Sequence, residues 1–196
     1  MSDNVWNEIR SDYDAYYYSS FTWLPDPKKG NWKRRWERLD SIVLRGSWPA
    51  VVGYRLKAWA YRKGVPLLPF VCDTLNRLFW GVVIGDRVKI GRGLCIVHGY
   101  VVIDGAVVIG KSCYINPHVT IGLRGGDVFT LDGPHLGDNV YIGTGAKVLG
   151  AITVGDNVTI GANAVVISDI PDNHTAVGAP ARAIPKKVQT ERERRE

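Results

Sequence analysis

The chain has 196 residues and a mass of 21.7 kDa, which is enough for one domain, or a domain with a small appendage, and a sizeable core. Its 45% hydrophobic and 22% charged residues are ordinary for a soluble globular protein, and it contains neither a bilayer-spanning apolar run nor a signal peptide, so we expect a cytoplasmic protein. The net charge of +6 divides into +5 over residues 1–83, −2 over 84–181 and +3 over 182–196, and the acidic balance of the central segment excludes a nucleic-acid platform there.

The first 83 residues have the apolar spacing and the proline and glycine breaks of a helical segment. All seven tryptophans of the chain lie here, and several, such as Trp32 and Trp36, are interleaved with basic residues. We expect these aromatic side chains to pack and to form oligomer contacts, and contact with a membrane surface or an acceptor is the alternative. The pattern predicts helices at residues 5–18, about 32–45, 49–63 and 66–80.

From Ile84 onward a branched apolar residue recurs every six residues and is often followed by glycine. The period shifts by one residue before Ile109 and is interrupted by residues 123–135. It fits neither a helix nor an alternating strand, but it fits a solenoid whose coils have three short faces and about 18 residues each. Residues 84–171 therefore supply about five coils of a predicted β-helix domain that spans 84–181, with the branched side chains stacked in its core.

The open end of a solenoid exposes apolar side chains and unpaired backbone groups, so it needs a cover. Residues 1–83 are suited to this role, and we expect them to form a helical cap that also mediates oligomerisation. Residues 182–196 are predicted to be a basic C-terminal tail. The three cysteines, Cys72, Cys95 and Cys113, show no metal or redox spacing, so we expect reduced thiols and no metal site.

Several motifs resemble those of a known family. They are Lys89-Ile-Gly-Arg-Gly-Leu, the pair His98-Gly99, Ile142-Gly-Thr-Gly-Ala-Lys-Val-Leu-Gly, and Val177-Gly-Ala-Pro-Ala-Arg182. The family is that of the hexapeptide-repeat acyltransferases, and the branch is that of the serine acetyltransferases. The resemblance implies a left-handed parallel β-helix, a homotrimer, and transfer of an acetyl group from acetyl-CoA to a hydroxyl.

Histidine is the natural candidate for a general base in such a reaction, because imidazole titrates at about 6.5. His98 lies where the six-residue pattern breaks, a place where a solenoid would turn a side chain outward. In the resembling family the histidine at this position is the catalytic base. We therefore predict that His98 is catalytic, with a surface or packing role as the alternative, and we leave the roles of His118 and His174 open.

The interruption at residues 123–135 is too long for a corner, and such loops on solenoids tend to be functional. Serine acetyltransferases have a loop here that ends in Arg-His-Pro-Lys, and the place of its histidine falls on Gly133. The Pro-His-Leu-Gly ending looks more like the acetyltransferases of surface-polysaccharide clusters, such as the colanic acid type. His135 is accordingly predicted as a second catalytic residue.

Two further departures concern the acceptor. The serine enzymes have aspartates where this chain has Val97 and Val83. One carboxylate would orient the imidazole of the base, and another would pair with the ammonium group of serine. A sugar or other non-serine acceptor is therefore predicted, with a serine O-acetyltransferase of cysteine biosynthesis as the alternative. Asp104, Asp127 and Asp132 are candidates for orienting His98 instead.

The donor also has candidate partners. Correspondence with the family places the residues that line the pantetheine of acetyl-CoA at Thr144 and Ala162, and Arg182, Lys186 and Lys187 follow the last coil, where they are predicted to meet the phosphates. A solvated tail is the alternative for the two lysines. A metal lyase of the γ-carbonic anhydrase kind is disfavoured by the histidine spacing, and a non-catalytic scaffold is the third reading.

Overall fold

The computed structural model of the chain describes residues 4–21, 46–125 and 131–186. Three helices come first: α1 (Val5–Phe21), α2 (Trp48–Lys63) and α3 (Leu68–Trp80). A left-handed glycine ends each of the last two, Gly64 with φ 67° and Gly81 with φ 62°, because a residue without a Cβ enters this conformation without strain. The helix predicted at about 32–45 lies outside the described residues.

Short strands follow in the remaining described residues. They are β1 (Val83–Ile84), β2 (Lys89–Ile90), β3 (Cys95–Ile96), β4 (Val102–Ile103), β5 (Ala106–Ile109), β6 (Tyr114–Ile115), β7 (Thr120–Gly122), β8 (Asp132–Leu136), β9 (Tyr141–Ile142), β10 (Lys147–Leu149), β11 (Thr153–Val154), β12 (Thr159–Ile160), β13 (Val165–Val166), β14 (His174–Gly178) and β15 (Ala181–Pro185).

These strands form three sheets that the chain visits in turn. Sheet A has the order β1-β4-β7-β10-β13, sheet B the order β2-β5-β8-β11, and sheet C the order β3-β6-β9-β12-β14-β15. All neighbours pair in parallel except β14 and β15, which form an antiparallel pair at the end. Each passage through the three sheets is one coil, so the predicted parallel β-helix is confirmed.

The branched residues of the six-residue pattern form the core. Strand pairing aligns them from coil to coil, as in the column Ile96, Ile115, Ile142 and Ile160, all of which are 0% exposed. Burying one such side chain contributes roughly 1.5–3 kcal/mol, so the repeated columns dominate the stability of the prism. One difference concerns the predicted loop 123–135: β8 begins at Asp132, because residues 132–136 pair with β5 and extend sheet B.

The three helices, called the helical cap below, are joined to the first coil by buried charges. Arg55 of α2 donates from Nε to Oδ2 of Asp12 in α1 at 2.7 Å, and both side chains are buried. Lys57, also buried, donates to Asp73 of α3 at 2.7 Å. Backbone groups of the first coil bind the same side chains. Arg55 donates to the carbonyl oxygens of Ile90 and Gly91 at 2.8 and 2.6 Å, and Lys57 donates to that of Ile84 at 2.7 Å. Asp12 accepts the backbone N–H groups of Gly93 and Leu94 at 2.8 and 2.9 Å.

Candidate functional site

Each coil turns from sheet C to sheet A through a short corner, and the corners stack into one edge of the prism, called the C–A edge below. In the first coil the residues between the paired strands are 97–101, whereas the next three coils use 116–119, 143–146 and 161–164. Neighbouring coils are separated by about 4.8 Å, the distance between adjacent strands. The first corner therefore contains one residue more than those stacked on it.

His98 lies in this longer corner, and its side chain is exposed. A Cβ at the next residue, Gly99, would collide with the carbonyl oxygen of Trp80 at the end of α3. The same carbonyl accepts a hydrogen bond from the backbone N–H of Tyr100 at 3.0 Å. On the other side, Val97 packs against the buried side chains of Tyr16 and Cys95. The helical cap thus fixes the backbone on both sides of His98.

A stacked pair of rings lies beside His98 on the same edge. Tyr100 and His118 occupy equivalent places in the first two corners, with ring centroids 5.3 Å apart and planes at 13°. Both have left-handed backbones, with φ 64° and 61°, and the next two coils have Gly145 and Asn163 at this place. Glycine, asparagine and histidine adopt this conformation more readily than most residue types, so Tyr100 is the unusual residue among these four. Aligning the corners by sequence would have identified Tyr100, which our prediction missed.

The residues predicted to bind the donor divide into two groups. Thr144 lies in the third corner and Ala162 in the fourth, so both share the C–A edge with His98, Thr144 at two coils or roughly 10 Å from it. Arg182 pairs with Val177 and lies just beyond the fourth corner. The structure therefore brings His98, Thr144, Ala162 and Arg182 to one edge.

Lys186 lies elsewhere. Its Nζ donates to the carbonyl of Asn157 at 2.6 Å, at the corner between sheets B and C, and its backbone N–H donates to Asn173. Lys187 lies outside the described residues. The geometry of the described residues thus connects Arg182, but not Lys186, with the C–A edge.

His135 is on sheet B, where it pairs with Val108 and Thr153, and its side chain is exposed. Sheet B is the face of the prism that does not adjoin the C–A edge, so one chain does not bring His135 and His98 together. His174 lies on sheet C, with its Nδ1 2.7 Å from the carbonyl oxygen of Asp172.

No carboxylate among the described residues orients His98, which has no hydrogen-bond or ion-pair partner there. Asp104 accepts the N–H of Gly105 at 2.9 Å at the corner between sheets A and B, and Asp132 lies on sheet B. Asp127 is outside the described residues. The backbone contacts around Val97 and Gly99 are the positioning elements that the structure shows.

The remaining candidate groups are the cysteines and the possible metal ligands. Cys72, Cys95 and Cys113 are buried and form no disulfide bond, and burial raises the pKa of Cys113 to about 11. Over residues 4–21, 46–125 and 131–186, no three His, Cys, Asp or Glu side chains are grouped as metal ligands would be. Nor does any helix in these ranges have the length and apolar character needed to cross a membrane.

Comparison with known proteins identifies the relatives of the chain. The family model described as bacterial transferase hexapeptide (six repeats) matches residues 133–168. A serine acetyltransferase of Helicobacter pylori strain J99 is 42% identical over 159 residues, which cover 79% of this chain and 88% of the relative. The serine acetyltransferase of Synechococcus elongatus is 39% identical over 147 residues, which cover 74% of this chain and 60% of that longer relative.

Solved structures agree with these relatives. A serine acetyltransferase in complex with cysteine superposes with a TM-score of 0.75 at 27% identity, covering 95% of this chain and 68% of that one. The serine acetyltransferase of Neisseria gonorrhoeae in complex with serine gives a TM-score of 0.70 at 29% identity, covering 92% of this chain and 69% of that one.

These relatives contradict the prediction of a sugar or other non-serine acceptor and support its alternative, since they bear the name serine acetyltransferase. They lend no support to the likeness with the colanic acid type. The prediction was wrong because it took the absence of two aspartates to mean that serine is not the acceptor. Val97 is half-buried against the cap, and its apolar side chain reflects that packing. With 42% identity to a serine acetyltransferase over most of that relative's length, the chain belongs to the hexapeptide transferase family.

Proposed function

We propose that the protein is a serine O-acetyltransferase of cysteine biosynthesis, which transfers the acetyl group of acetyl-CoA to the hydroxyl of L-serine. The observation that carries the proposal is the exposed His98 on the same edge of the prism as Thr144, Ala162 and Arg182. The names of the relatives support the choice of acceptor.

In this proposal the imidazole of His98 accepts the proton of the serine hydroxyl as its oxygen attacks the thioester carbon. The C–O bond forms, and backbone N–H groups stabilise the tetrahedral oxyanion. The C–S bond then breaks, and the imidazolium returns the proton to the departing thiolate. The products are O-acetylserine and CoA, and His98 regains its initial state.

The donor would lie along the C–A edge. The side chains at positions 144 and 162 are small, which allows close approach of an extended pantetheine chain. Arg182, beyond the fourth corner, offers a guanidinium to the phosphates. Lys186 and Lys187 stay predictions from the sequence.

We further propose a homotrimer of left-handed β-helices. His135 lies on β8 of sheet B, away from the C–A edge of its own chain. A role for His135 beside His98 therefore requires sheet B of a neighbouring subunit. The division of the chain at residues 83 and 181 and the cytoplasmic location stay predictions from the sequence.

The proposal is tested by CoA release from acetyl-CoA with L-serine as acceptor. We expect turnover by the full chain, and we expect His98→Ala to lower kcat by about 10²–10⁴-fold, the usual contribution of a general base. Acetyl-CoA binding by calorimetry should persist in this variant.

His174→Ala is the matched control, because this histidine is on sheet C, away from the first corner, and should leave kcat unchanged. Absence of turnover with serine would contradict the acceptor. Full activity of His98→Ala would contradict the mechanism.

A further inference from the structure

A groove of about 590 Å³ lies between the helical cap and the first two coils. Its walls come from α1, α2, β2 and β5, together with the residues that follow these two strands. It opens on sheet B, the face that does not adjoin the C–A edge. The proposed transfer reaction makes no use of this groove.

Basic residues are concentrated at the groove. Lys89, Arg92 and Lys111 line it, and they are half of the six Lys and Arg residues between positions 84 and 181. Of the seven aspartates described in the same segment, none lines the groove. Arg62 of α2 contributes a fourth exposed cation, in addition to the buried Arg55. The segment as a whole is slightly acidic, so the excess of positive charge at the groove comes from where the basic residues lie and not from their number.

The one acid that lines the groove lies beside a buried arginine. Glu8 is buried and lies 3.9 Å from Arg55, whose guanidinium also binds Asp12. Neither Arg62 nor Lys89 has an ion-pair partner among the described residues, and Lys111 reaches Asp138 only at 4.0 Å. Arg62, Lys89 and the weakly paired Lys111 are therefore available to an anion from solution.

The groove also has an apolar floor between the cations. A site for small inorganic ions would not need such a floor. The floor belongs to both the cap and the prism, and much of it is only half-buried, so a ligand would remove it from water. Pockets for organic ligands combine such a floor with a few polar groups at defined places. The apolar lining residues are Tyr54, Ala58, Val88, Ile90, Val108 and Ile109.

We propose that this groove binds a phosphate-bearing organic anion of nucleotide size. Arg and Lys side chains bind phosphate oxygens through charge-assisted hydrogen bonds, and the apolar floor accepts the organic part. Because the groove is bounded by α2 and by two coils, the bound anion connects the cap to the prism. Ligand that binds only the folded state raises the unfolding temperature, so we expect stabilisation on binding.

The probe is ATP, titrated calorimetrically into the full chain at physiological salt, and the two double variants below distinguish the groove from the donor site. We expect binding, together with a higher Tm. The double variant Lys89→Ala/Lys111→Ala should weaken ATP binding by at least about ten-fold, since it removes two charge-assisted contacts. The matched control is Arg87→Ala/Arg124→Ala, which removes the same charge from exposed positions outside the groove and should leave the Kd unchanged.

Two further probes separate the parts of the ligand. Tripolyphosphate should bind more weakly than ATP, because it lacks the part that covers the floor, and adenosine should not bind measurably. The proposal is overturned if ATP does not bind, if both double variants lose affinity equally, or if tripolyphosphate binds as tightly as ATP. CoA release by the groove variant with serine measures the proposed reaction separately, so the two proposals fail independently.

Discussion

His98 is positioned by its neighbours in the chain rather than by a carboxylate. Val97 packs into the cap, and the chain after His98 passes so close to the carbonyl of Trp80 that only glycine fits at position 99. Both contacts involve the helical cap, so the position of the candidate base depends on residues far from it in sequence.

The variant Gly99→Ala tests this dependence. Its Cβ would meet the carbonyl oxygen of Trp80, so the corner must shift, and we expect kcat with serine to fall more than about ten-fold and stability to fall by about 1–3 kcal/mol. Kinetics and urea unfolding measure the two effects. Gly125→Ala is the control, because a Cβ there has no atom within 4 Å. Equal behaviour of the two variants would contradict the positioning role.

Cys113 predicts a pH dependence of stability. Burial raises its pKa to about 11, whereas an unfolded thiol ionises at about 8.5. The folded state therefore retains the proton more tightly, and this contribution to stability is complete below the unfolded pKa and is lost as the pH rises through the folded pKa. We expect the free energy of unfolding to fall by up to about 1.4 kcal/mol per pH unit in this window.

Urea unfolding between about pH 8 and 11 measures this slope. The variant Cys113→Ala should have a shallower slope, because it lacks the titrating thiol. An unchanged slope would show that Cys113 does not contribute.

At the scale of elements, the attachment of α1 and α2 to the first coil rests on the Asp12–Arg55 pair. The two side chains satisfy each other and four backbone groups of the coil. Removing one partner of such a pair leaves a buried charge without compensation, which is far more costly than losing an exposed ion pair.

We expect Asp12→Ala to lower the free energy of unfolding by roughly 3–5 kcal/mol, measured by urea denaturation. Asp14→Ala, on the exposed side of the same helix, should change it by less than about 0.5 kcal/mol. Similar losses in both variants would contradict the assignment of the pair as the main attachment.

The sequence allowed the prism to be predicted, but only part of the site. Columns such as Ile96 to Ile160 follow from the six-residue period, because one aliphatic side chain per face must point inward in every coil. The extra residue near His98 was visible for the same reason. Asp12 and Arg55 were not predicted to be buried, because charged residues on helices ordinarily face solvent. The placement of His135 depends on which corner the loop leaves, which the period alone does not define.

At the scale of the whole molecule, α3 has an exposed apolar face. Phe70, Leu78 and Phe79 are 70–72% exposed, and an apolar patch of this kind marks an interaction surface. We expect a neighbouring subunit of the proposed homotrimer to cover this face, because burying its apolar side chains stabilises the assembly.

Light scattering should therefore give three times the chain mass of 21.7 kDa. We expect Leu78→Glu to shift the mass towards the monomer, because it places a charge in the apolar face. Arg77→Glu, at the exposed neighbouring position, is the control and should leave the mass unchanged. A monomeric wild-type chain would contradict the trimer.

Because the corners stack at a regular spacing, the number of coils sets the distance between His98 and Arg182. Each complete coil adds about 4.8 Å between His98 and Arg182, so the number of coils determines how long a molecule can reach both. Deleting residues 146–163, one whole coil, would keep every column of the core in register and yet shorten this span by one step. Evolution by loss or gain of a single coil would thus change the length of the donor that fits, while keeping His98, Thr144 and Arg182 on the C–A edge.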